Sequence, residues 1–166
     1  MSLETLIDDN RRAIEAEPIK ARAVFSVRGD LVGLTEVDLV ARDHSVKVDE
    51  PDVLGGQDLG ANPVEHALIA LASCQAITYR FWAAKLGIEL ERLEVIAEGD
   101  LDVRGFFGFD EGIRPGFTGI RLEITPAGPE TAERYQELAD AVDAHCPVLD
   151  LFTNETPVER RIAVAA

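Results

Sequence analysis

Asn62-Pro63-Val64-Glu65-His66-Ala67-Leu68-Ile69-Ala70-Leu71-Ala72-Ser73-Cys74-Gln75 opens a stretch that runs on without a break to Gly87. Asn62 is a capping residue, Pro63 suits a first helical position where no N–H is needed, and Gly87 tolerates the left-handed conformation that ends helices. Both ends are thus chemically signed, and the span predicts one helix of about six or seven turns, roughly 36 Å long. Ala67, Ala70, Leu71, Thr78 and Phe81 fall around Cys74, while Leu68, Ile69, Ala72, Ile77 and Trp82 cover other faces. A helix apolar on most sides belongs at the centre of a fold. Glu65, His66, Gln75, Arg80 and Lys85 interrupt it, so it lacks the uncharged run of about 18 to 20 residues that a membrane span needs.

The pattern on either side completes an α+β reading. Leu3, Leu6, Ile7 and Ile14 recur at helical spacing up to Pro18, which predicts an amphipathic helix over 3–16 as an N-terminal extension, 1–18, of a single domain, 1–166. The period then shortens to two in three segments, carried by Ala21, Ala23, Phe25 and Val27, by Val37, Leu39 and Ala41, and by Val46 and Val48. They read as three half-buried strands of a meander. Leu93, Val95, Ala97, Leu101 and Val103 mark a longer strand, and Ile120, Leu122 and Ile124 another, with a Gly-rich loop carrying Phe106, Phe107, Phe109 and Phe117 between them. A second helix is expected from about Glu130 to His145, stopped at Cys146-Pro147, and a last strand from Val158 to Val164. Antiparallel sheets packed on helices follow.

Composition narrows the function. Thirty-one acidic against sixteen basic residues give a net charge of −15, which repels nucleic-acid phosphates and anionic membrane faces. With Met1-Ser2-Leu3-Glu4 at the start and no export signal in view, a cytoplasmic location is expected, where two cysteines rest as thiols. His44, His66, His145 and the cysteines form no Cys-x-x-Cys or His-x-x-x-His pair, so neither a metal nor another cofactor is expected.

Cys74 is the residue on which chemistry turns. A thiol of pKa about 8.5 is only about 3% ionised at pH 7, and a guanidinium that brought it to about 6 would raise the thiolate fraction roughly thirtyfold. Read from the residues alone, Cys74 is either a packing side chain or such a nucleophile.

The Asn62-Pro63 helix entry, the Ala-Leu-Ala-Ser-Cys segment ending at Cys74, the segment Leu93 to Gly105 and Cys146-Pro147-Val148 together resemble the OsmC/Ohr family, the osmotically induced and organic hydroperoxide resistance proteins. The resemblance implies an intertwined homodimer of OsmC-like fold, antiparallel sheets around a long buried central helix. It also implies a peroxidase that reduces organic hydroperoxides, with Cys74 as reactive cysteine, Cys146 as resolving cysteine, Arg28 holding the thiolate, and a lipoyl or thioredoxin-like dithiol as reductant. Peroxidase members place a glutamate ten residues before the reactive cysteine, where this chain has Val64, with Glu65 next to it. At 100° per residue, Glu65 falls about 180° around the helix from Cys74, where ten residues would leave about 80°. The alternative is a non-catalytic OsmC-like stress protein that binds a small apolar ligand at its dimer interface.

Overall fold

The computed structural model describes residues 2–164. Helix α1, Leu3–Ala16, begins at Ser2, whose hydroxyl accepts the Thr5 N–H, and a short 3-10 turn follows at Pro18–Ala21. Strands β1 (Arg28–Leu31), β2 (Val37–Ala41) and β3 (His44–Val48) form an antiparallel meander in the order β1-β2-β3. The long helix α2, Pro63–Leu86, comes next. Strands β4 (Arg92–Asp100) and β5 (Gly119–Ala127) pair antiparallel with the one-turn helix α3 (Val103–Phe107) between them, and α4 (Ala132–Asp143) and α5 (Pro147–Thr153) close the described order.

The expected caps of α2 are present. Asn62 accepts the Glu65 N–H at 2.9 Å and the Glu65 carboxylate accepts the Asn62 N–H at 2.8 Å, a reciprocal box, while Gly87 ends the helix at φ +63°. One side of α2 packs on β4, α4 and α5, and α1 lies against it as well. Its opposite side, with Ile69 half exposed, Ile77 and Phe81, is open in the single chain, so the helix is central but covered on one side only.

In the β4–β5 ribbon, Val95 faces Ile124 and Ala97 faces Leu122, with these side chains turned inward, as the alternation requires. The core gathers Tyr79, Ala83, Ile88, Leu90, Leu138, Val142 and Cys146 where α2 crosses α4. Polar ties hold the crossing: Arg80 donates to the Leu90 carbonyl, Arg134 to that of Leu86 and Tyr135 to that of Glu89.

Several boundaries differ from the sequence expectation, each for a local reason. Strand β1 begins at Arg28, and 22–27 forms no strand, with Val24 and Phe25 more than nine-tenths exposed. Strand β4 stops at Asp100 because Asp102 caps α3, accepting the Arg104 N–H, so Val103 begins a helix. Residues 158–164 form no strand, and among the described residues they pair with neither sheet. Helix α4 ends at Asp143, three residues before Cys146, and Pro147 starts α5 as its first residue.

The loop between β3 and α2 is organised by one buried carboxylate. Asp49, 1% exposed, accepts the Thr35 hydroxyl at 2.6 Å and the N–H groups of Gln57 at 2.8 Å, Glu50 at 2.9 Å and Leu59 at 3.4 Å. The Thr35 hydroxyl first, then the Gln57 N–H, hold its carboxyl below the usual range. A group whose pKa is depressed by folding adds stability above its unfolded value of about 3.9, and that stability is lost as pH falls through the folded value. Asp49→Asn is therefore expected to lower Tm by roughly 5–10 °C at pH 7. The gap should close as pH falls below about 4. Thermal unfolding of both proteins across this range checks it, and a gap independent of pH would refute the assignment.

Candidate active site

Two helices and a turn bring the cysteines together. Cys74 sits half-way along α2, its carbonyl accepting the Thr78 hydroxyl at 2.8 Å and its side chain packed on the core cluster that contains Cys146. Cys146 occupies the junction of α4 and α5. Pro147 disfavours helical geometry in the residue before it, so Cys146 leaves α4 in an extended conformation (φ −82°, ψ 111°) and turns its side chain inward, 2% exposed. Both are free thiols, and the two side chains are direct neighbours. Burial pushes the Cys146 thiol up from its ordinary value; the N–H of Leu149, at the start of α5, opposes this, and the adjoining Cys74 thiol adds to the rise.

Polar groups beside the pair were not singled out by sequence. Gln75 is fully buried, its amide facing Asp143 without a full hydrogen bond and with no other partner among the described residues. Burial raises the Asp143 carboxyl, and Asp140 adds to the effect. Tyr79, one turn beyond Gln75, is pushed up to about 12, first by burial and then by Asp143, and so stays a neutral phenol. On the outer side His145 stacks on Trp82 with ring centroids 4.1 Å apart, and the Lys85 ammonium lies 3.8 Å from the centre of the same indole.

Arg28 and Glu65 are not brought to Cys74 within this chain. Arg28 is on β1, its side chain 81% exposed, donating through Nε and Nη2 to Asp30 at 3.0 and 2.6 Å. Glu65 spends its carboxylate on the α2 cap, nine residues and about 13.5 Å of helix rise from Cys74. Val64, the position ten residues before Cys74, lies on the first turn and is 39% exposed. The sequence signal for Cys146 as a structural junction was Pro147, which marks a first helical position as well as a stop. Gln75 carried a signal too, an amide in an otherwise apolar helix.

A family model described as OsmC-like protein matches residues 55–161, which span the central helix, the β4–β5 ribbon and the α4–α5 junction. The chain belongs to the OsmC-like protein family. No curated protein sequence matches it. Solved structures share the OsmC fold. An organic hydroperoxide resistance protein OsmC from Legionella pneumophila is 19% identical, with 78% of this chain and 89% of that one covered at a TM-score of 0.61. An OsmC-like protein from Mycoplasma pneumoniae is 18% identical, with 79% and 88% covered at 0.68. An organic hydroperoxide resistance protein from Elizabethkingia anophelis is 19% identical, with 78% and 88% covered at 0.59. Among the described residues no helix of this OsmC-like protein is long and apolar enough to cross a membrane.

Proposed function

We propose that this OsmC-like protein is a thiol peroxidase that reduces organic hydroperoxides, working as a homodimer with Cys74 as nucleophile and Cys146 as resolving thiol. The observation that supports the reading is the contact of two free thiols, one half-buried on α2 and one buried at the α4–α5 junction. The Cys74 thiolate attacks the terminal peroxide oxygen, the O–O bond breaks, and the departing alkoxide takes a proton to leave as alcohol. Cys74 is then a sulfenic acid. The Cys146 sulfur attacks the Cys74 sulfur, expelling the hydroxyl as water with the thiol proton, and an external dithiol reduces the disulfide. A cytoplasmic setting fits, because both cysteines rest reduced there.

Arg28 and Glu65 lie away from Cys74 in one chain, so a part for either in activating the thiol requires the second copy. Homodimer formation is supported by the open side of α2 and by the exposed apolar residues of two unpaired segments, Val24 and Phe25 at one end of the chain and Val158, Ile162 and Val164 at the other. Such surface is large for a monomer. Light scattering should give twice the 18.1 kDa chain mass.

Because Cys74 is packed among apolar side chains, a bulky hydroperoxide gains about 25 cal/mol per Å² buried there, which hydrogen peroxide does not. With dihydrolipoamide or dithiothreitol as reductant, cumene hydroperoxide is expected to be consumed at least tenfold faster than hydrogen peroxide. Equal rates would refute the apolar pocket. No turnover with any peroxide would favour a protein that binds a small apolar ligand without chemistry.

A further inference from the structure

A cavity of about 570 Å³ is a groove between α5 and the segment that enters β5. Its size is that of a small-molecule site. Leu71, Phe117, Leu122, Leu149 and Phe152 line it. Leu71 is one helical turn before Cys74, and Leu149 is one turn after Cys146 and packs, as Cys74 does, on the core cluster that holds Cys146, so the groove's lining reaches to within one turn of each cysteine.

Arg114 is the charged residue among those lining the groove. Among the described residues it makes neither an ion pair nor a side-chain hydrogen bond. Its guanidinium lies over Gly116: a Cβ there would sit 3.4 Å from Nη2 and 3.8 Å from Nε. The Phe117 ring rests flat on Gly99, where a Cβ would come within 2.5 Å of it, so this wall is fixed against β4. The two hydroxyls of the lining are already committed, Thr118 donating to the Asp100 carbonyl and Thr153 to that of Leu149. The groove therefore offers apolar walls and a single unspent donor group, a planar guanidinium with the fork geometry that matches a carboxylate. A net charge of −15 disfavours a doubly charged phosphate relative to a monoanion.

We infer that this groove binds an amphipathic carboxylate, with its apolar chain along Leu71, Phe117, Leu122, Leu149 and Phe152 and its carboxylate on Arg114. The assignment extends the peroxidase reading, since a hydroperoxide on such a chain would lie beside the thiols, but it concerns binding and stands apart from turnover.

Isothermal titration with sodium decanoate and with decanol, at concentrations below micelle formation, tests it. The wild-type protein should bind decanoate at least tenfold more tightly than decanol, and Arg114→Gln should bring the two within about twofold. Arg114→Lys, which keeps the charge but loses the fork, should retain part of the preference. Arg114 is exposed, so the variants are expected to fold, and unchanged circular dichroism and Tm verify this. Absence of a decanoate preference in the wild type, or its survival in Arg114→Gln, would overturn the inference. A protein without peroxidase activity that binds decanoate through Arg114 keeps the groove and loses the proposed function. An active peroxidase that ignores decanoate does the reverse.

Discussion

Cys74→Ser is expected to lower kcat/KM for cumene hydroperoxide by about a thousandfold or more, whereas Cys146→Ser should still complete one turnover and stop. The asymmetry follows from position. Cys146 is 2% exposed, and its burial holds it in the thiol form, so an incoming peroxide meets the half-buried Cys74 first. In Cys146→Ser the sulfenic acid formed on Cys74 has no neighbour to condense with and should be trapped by dimedone in near-stoichiometric yield. Mass spectrometry of the labelled peptide after one equivalent of peroxide reads the outcome. Label found on Cys146 in Cys74→Ser would reverse the roles. Label on neither cysteine would remove the enzyme reading.

The largest loss of stability is expected at Leu138, the larger of the two α4 residues, with Val142, that have no exposed surface in the cluster where α2 and α4 cross. Leu138→Ala removes three heavy atoms from a packed site and leaves a void that neighbouring α2 residues fill only in part, which costs about 2–5 kcal/mol. The void would lie in the same cluster as Cys146, so the junction that presents this thiol should loosen too, and disulfide formation should slow. Urea unfolding of the reduced proteins measures the first effect, and loss of free thiol after a peroxide pulse measures the second. A change below about 1 kcal/mol would mean that α4 is not anchored through Leu138.

What the sequence revealed was local chemistry. Asn62, Pro63, Glu65 and Gly87 define α2 because capping depends on residues a few positions apart, and the alternation of Leu93, Val95 and Ala97 defines the inward face of β4 for the same reason. The segment from Val158 to Val164 shows the limit of such patterns: alternation marks a chain that can pair, but a strand exists only where another strand lies alongside. The one-turn helix α3 was hidden by glycines and phenylalanines that read as loop, although Asp102 was a legible cap. Resemblance, rather than periodicity, suggested that Cys74 and Cys146 act together. Their contact depends on how α2 crosses α4, a tertiary result that no spacing in one dimension encodes. The same crossing buries Gln75 with its amide unspent.

The positions of the two cysteines along the chain also make redox state a matter of chain entropy. A bond between Cys74 and Cys146 would tie a loop of about 70 residues, which by the loop-entropy relation removes roughly 4 kcal/mol of freedom from the unfolded chain at 25 °C. Folding has already placed the two thiols in one cluster, so the bond would join groups that the native state brings together. The oxidised protein would then be the hardier species and the reduced one the more easily unfolded and degraded, so that exposure to peroxide would lengthen the lifetime of the molecules that had just consumed it.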